Sequence, residues 1–84
     1  MKRYLVMAMR KPTFSDEVIA PHLAFLDELR SAGQLEMTGG FSDKSGGAYV
    51  LKADNLEEAQ AIVHRDPLTT YGSSTLTIYE WNTR

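Results

Sequence analysis

Residues 3 to 10 read Arg-Tyr-Leu-Val-Met-Ala-Met-Arg. Their apolar side chains fall on both alternating faces, which is the pattern of a strand covered on two sides and therefore central in a sheet. At the far end of the chain, residues 74 to 81 read Ser-Thr-Leu-Thr-Ile-Tyr-Glu-Trp and alternate cleanly. Leu76 and Ile78 take one face of that final strand, and Thr75, Thr77, Tyr79 and Trp81 the other. Between the two strands the hydrophobic period changes repeatedly. Over residues 15 to 32, Val18, His22, Phe25 and Leu29 recur at helical spacing with Ile19 and Leu26 beside them, so one stripe is apolar apart from a single imidazole. Ser15, Asp16 and Glu17 suit the helix start and Gly33 its stop. Pro21 either kinks a short first turn or sits in the first turn of a main helix that starts near Ala20. Leu35 and Met37 alternate with Glu36 and Thr38 as a short strand. Gly39-Gly40 and the run Ser42 to Gly47 then form a flexible connection, a lid or a plain hairpin turn, to a strand at 48 to 53. Asp54-Asn55-Leu56-Glu57 resembles a capping box. It opens a second helix with Leu56, Ala59, Ile62 and Val63 as its buried stripe and Pro67 forcing its end.

The order βαββαβ describes a ferredoxin-like α+β fold, a four-stranded antiparallel sheet with two helices on one face. Two helices cover one face only, and Tyr79 and Trp81 make the other too aromatic to leave in water. Burying a few such side chains at ~25 cal/mol per Å² is worth several kcal/mol, so pairing of two sheets into a homodimer, a dimeric α+β barrel, is expected. The alternative is a monomer whose C-terminal strand is an exposed edge. Residues 1 to 84 form one domain, and a domain of this size buries only ~60% of the surface its unfolded chain exposes, which makes help from a partner subunit reasonable.

Composition narrows the chemistry. The chain has no cysteine, which excludes disulfides, thiolate zinc sites and thiol nucleophiles and fits a reducing compartment. Two histidines alone make a poor metal site, so no metal is expected. A net charge of -2 with scattered Lys and Arg argues against a nucleic-acid face. The apolar run Tyr4 to Met9 behind Met-Lys-Arg is too short for a signal peptide or a membrane span, and the expected location is cytoplasmic.

Chemistry concentrates on His22 and on Asp66 of the pair Asp66-Pro67. An imidazole exchanges protons near neutral pH, and a carboxylate on its second nitrogen fixes the tautomer and stabilises the cation. His22 would be general acid or base and Asp66 its orienter. A buried structural ion pair is the competing reading, because a histidine on an apolar stripe is commonly a core residue and Asp-Pro commonly starts a turn. Asp66 follows a helix end, where the dipole disfavours negative charge, so a compensating cation is expected, with His22 or Arg65 as candidates. His64, in the last turn of the second helix, fits a structural role. Arg10 and Tyr71 are candidate contacts for an acidic or phenolic ligand, and Gly39 and Gly40 would let one approach backbone amides. No cofactor signature is present and none is expected. Two functions follow: a cofactor-independent lyase or isomerase acting on a small aromatic or oxo-acid compound, or a non-catalytic small-ligand-binding or accessory dimer.

Pro21-His22-Leu23-Ala24-Phe25-Leu26, Gly33-Gln34-Leu35, Gly39-Gly40, Leu56-Glu57-Glu58-Ala59-Gln60-Ala61 and Asp66-Pro67 with Gly72, taken in order, resemble the YciI-related (YCII domain) family over essentially the whole chain. The resemblance implies a dimeric α+β barrel related in fold to muconolactone isomerase, with a histidine and an aspartate together in a cleft, here His22 and Asp66. It also implies chemistry of the kind seen in one branch, dehydrochlorination of a chlorinated hydroxyhydroquinone. The family often has proline where Gly40 stands and an aromatic residue where Leu68 stands.

Overall fold

The computed structural model describes the chain from Met1 to Arg84. Its elements are β1 (Lys2–Arg10), a 3-10 turn (Asp16–Val18), α1 (Ile19–Ser31), β2 (Leu35–Gly40), β3 (Gly46–Ala53), α2 (Leu56–His64), a short α3 (Pro67–Thr70) and β4 (Ser74–Glu80). The strands form one sheet in the order β2-β3-β1-β4, with every pairing antiparallel. The doubly apolar β1 is thus an interior strand, as its sequence requires.

Ser15 opens the first helical segment, its Oγ accepting from the Glu17 amide. The α-helix proper begins at Ile19, which puts Pro21 in the first turn. There its missing N–H is one of the donors an α-helix leaves without an internal partner. Asn55 caps α2 through its side chain and the Glu58 amide. One core joins these helices to the inner face of the sheet: Phe25, Leu26 and Leu29 of α1 and Ala59, Ile62 and Val63 of α2 pack on Tyr4, Val6, Tyr49, Leu51 and Ala53. Leu76 and Ile78 of β4 face the same core, as alternation requires. Leu56 does not join it. At 46% exposure it lies at the helix start, off the face that Ala59, Ile62 and Val63 turn inward.

Three further differences from the sequence reading bear on the site. Leu35 and Met37 do not share a face, because a bulge between them shifts the register. Leu35 is buried on the helix side and Met37 is exposed on the outer side. Glu36 is the extra residue, and its carboxylate accepts twice from Arg3 Nε, at 2.8 and 2.9 Å. The strands also run on through the glycines, so Gly39 and Gly40 belong to β2 and Gly46 and Gly47 to β3. The connection that remains is a tight hairpin rather than a lid. The Phe41 amide donates to the Gly46 carbonyl, Lys44 adopts φ of 62°, and Asp43 accepts from the Ser45 amide and hydroxyl. Finally, Pro67 does not merely end the second helix. It starts α3, with Asp66 as the cap.

Candidate active site

The site lies on the helix side of the sheet, at the end where side chains become small. Along β1 the inward residues run Tyr4, Val6, Ala8, and their partners on β3 run Leu51, Tyr49, Gly47. The inner layer therefore tapers from a filled end to an open one. A cleft of about 280 Å³ occupies the open end. Ala8, Gly40 and Gly47 contribute to it from the sheet, Ile19, His22 and Leu23 from α1, Leu68 from α3, Phe14 from the connection after β1, and Arg10 from the end of β1.

His22 and Asp66, 44 positions apart in the chain, meet at the wall of this cleft, which His22 lines and behind which Asp66 is buried. His22 Nδ1 lies 2.8 Å from Asp66 Oδ1. A carboxylate can only accept, so Nδ1 is the donor to Asp66, and in the neutral ring Nε2 is the acceptor. Asp66 is completely buried, whereas the His22 side chain keeps 17% of its surface accessible. Oδ1 also accepts from the Leu68 amide at 2.9 Å, and Oδ2 accepts from the Tyr49 hydroxyl at 2.9 Å. Three donors thus hold a carboxylate that would otherwise be costly to bury. Asp66 does follow the end of α2, and the partner beside it is His22; its side chain also caps the start of α3. Arg65 is not its partner. Burial first, and then the charge and hydrogen bond of Asp66, push the Tyr49 hydroxyl far above the usual tyrosine range, so it stays a donor.

Arg10 lines the cleft with its guanidinium 4.0 Å from the centre of the Phe14 ring, and it makes no ion pair. Gly39 and Gly40 line the cleft too. Tyr71 does not: it is 58% exposed and borders a separate small groove with Thr13, Ser15 and Glu17. Its place is set by α3, whose last turn carries it outward past the buried Leu68. His64 ends α2 and is exposed, away from the cleft. No group of three or more metal-ligating side chains occurs.

Tyr49 is the member of this constellation that sequence reasoning passes over. It sits in the apolar run Tyr49-Val50-Leu51, which reads as core, and it is core. The available signal is that a buried tyrosine normally needs a partner for its hydroxyl. That signal does not single it out, since Tyr4 is equally buried and its hydroxyl has no partner.

Comparison with known proteins places this architecture. The YCII-related domain matches residues 2–82. The chain belongs to that family. It is 53% identical over 81 residues to the uncharacterized protein YjpA of Bacillus subtilis, covering 96% of this chain and 95% of that protein. Among solved structures, the fold is similar to that of 5-chloro-2-hydroxyhydroquinone dehydrochlorinase (TftG) from Burkholderia phenoliruptrix AC1100, determined in complex with 2,5-dihydroxybenzoquinone. The TM-score is 0.76 at 20% identity, covering 98% of this chain and 95% of that one. At that identity the likeness is one of fold. No helix of this YCII-family chain is long and apolar enough to cross a membrane.

Proposed function

We propose that the protein is a cofactor-independent lyase or isomerase for a small aromatic or oxo-acid compound, with His22 as general base and Asp66 as the residue that orients it. The observation that carries this reading is the His22–Asp66 contact of 2.8 Å at the wall of an open cleft, with the carboxylate sealed and the imidazole accessible. The accessible ring, lining the cleft, leaves the imidazole within reach of a ligand. His22 Nε2 takes a proton from a phenol or from the carbon beside a carbonyl. The electron pair left behind either expels a leaving group from a neighbouring carbon or accepts a proton at another position, giving elimination or isomerisation. Asp66 stabilises the imidazolium that forms, and Arg10 draws an anionic or phenolic substrate to the mouth. TftG, a dehydrochlorinase of the same fold, is consistent with such chemistry.

The same proposal includes a homodimer of ferredoxin-like subunits, closed through the outer face of the sheet into a barrel. Met37, Tyr79 and Trp81 are all exposed on that face, with no helix over them. Sedimentation of the wild type and of Trp81→Lys tests this part: a dimer that the substitution dissociates is expected, and a wild-type monomer overturns it.

The catalytic part is tested with 5-chloro-2-hydroxyhydroquinone and related halogenated phenols as trial substrates, following halide release. His22→Ala is expected to lower the rate of the folded protein at least 100-fold, well beyond the stability loss of about 1–2 kcal/mol that follows from taking one donor off buried Asp66 and that the urea midpoint reads. A rate that falls only in proportion to the loss of folded protein, or a wild type without turnover whose cleft binds such phenols equally well after His22→Asn, returns the protein to the class of ligand-binding dimers.

A further inference from the structure

The four glycines around the cleft are not equivalent. A Cβ on Gly46 would fall 2.0 Å from the Ala8 carbonyl oxygen, and one on Gly47 would fall 2.5 Å from the Gly39 carbonyl oxygen. Those two are glycines because neighbouring backbone leaves no room. Gly40 differs. Its Cβ would meet nothing nearer than the Gly46 carbonyl oxygen at 3.9 Å, and its backbone lies outside the left-handed region. Neither sterics nor dihedral angles require glycine there, and glycine within a strand costs stability relative to alanine.

What the missing side chain provides is space. Gly40 pairs with Gly47 and Gly47 with Ala8, so the three lie in one row across β2, β3 and β1. Directly paired residues of antiparallel strands point to the same face, and Ala8 faces Val18 and Leu68 on the helix side. The bulge at Glu36 is what brings Gly40 to that side. The row is therefore a floor with one methyl group in it, lying under the cleft that His22 lines.

We infer that Gly40 is the position that sets the size of ligand admitted beside His22, and that the absence of a side chain there makes room for a substituent on the ring. This deepens the proposed function and rests on it. Taking each added carbon as about one water's volume, ~30 Å³, valine at 40 would fill about a third of the 280 Å³ cleft.

The test uses hydroquinone, methylhydroquinone and tert-butylhydroquinone, with binding read from NMR shifts of the His22 ring and the Ala8 methyl in the full-length protein. Gly40→Val is expected to weaken tert-butylhydroquinone at least tenfold more than hydroquinone, with Gly40→Ala between it and the wild type. Affinities that change equally across the series overturn the inference. If the wild type binds none of the three, the proposed ligand class fails, and xenon then judges the floor by itself. Xenon-induced shifts at the Ala8 and Leu68 methyls that vanish in Gly40→Val uphold it. Shifts that persist unchanged, or that are absent from the wild type, overturn it. Failure of both variants to fold also overturns it, because the fold would then require glycine at 40.

Discussion

The inner layer of this small sheet has two ends, and each holds a buried tyrosine. At the filled end Tyr4 is wholly buried in the apolar core and its hydroxyl has no partner. At the other, Tyr49 is equally enclosed, but its hydroxyl donates to Asp66 at 2.9 Å. The two residues stand on adjacent strands, one inward row apart: Tyr4 pairs with Leu51, and Tyr49 with Val6. The filled end uses its tyrosine as bulk and tolerates an orphan polar atom. The open end assigns every polar atom of Asp66 a donor and leaves a cleft beside them. A carboxylate cannot be buried unpaired as a phenol can, since the penalty for an isolated ion far exceeds that for a neutral hydroxyl.

The comparison is tested most severely by Leu51→Ala at the filled end. It should cost about 3 kcal/mol, a large share of a small domain's total stability, as read by urea denaturation. Ligand binding at the cleft should survive among the molecules that remain folded. Coupled loss of both would mean the two ends are not separable.

Asp66→Asn acts at the open end. The amide keeps the shape but cannot accept from His22, Tyr49 and the Leu68 amide as a carboxylate does. A loss of about 2 kcal/mol is expected from weakened charge-assisted bonds, together with a fall in turnover of at least 100-fold. Calorimetry and rate measurement on the same sample separate the two effects.

The tyrosines can be compared directly by removing each hydroxyl. Tyr49→Phe takes one donor from a buried carboxylate and should destabilise by about 1–2 kcal/mol. Tyr4→Phe removes an unpaired buried hydroxyl and should be neutral or stabilising by up to ~1 kcal/mol. Equal losses in the two variants would erase the distinction between the ends.

The smallest effect belongs to the hairpin beside the cleft. The Ser45 hydroxyl and amide hold the Asp43 carboxyl below its ordinary value of 3.8. A folded-state value below the unfolded one contributes stability that is present above the unfolded value and lost as pH falls through the folded one. Asp43→Ala should therefore lower stability slightly near neutrality, with the difference from the wild type vanishing as pH falls below ~4.

Much of this was legible along the chain. The doubly apolar run 3 to 10 marks an interior strand, and the alternation at 74 to 81 sorts Leu76 and Ile78 from Tyr79 and Trp81. Both follow from the two-residue period of a strand, a local property. His22 stands out because it interrupts an apolar helical stripe, also a local property. The position of Leu56 was not legible, because a helix stripe does not say which of its end residues reach the core. Nor was the bulge at Glu36 that separates Leu35 from Met37, since register is settled between strands and not within one.

Local patterns establish the order of the four strands and the two longer helices, the two faces of the sheet and the one imidazole on an apolar stripe, because periodicity and capping act over a few residues. It takes the folded chain to show that Asp66, just past the end of α2, also caps a new helix, that Tyr49 and not Tyr71 reaches Asp66, and that Gly40 turns toward the cleft. Each of these depends on groups distant in sequence meeting at fixed distances, and such meetings are set by packing and register across the whole sheet.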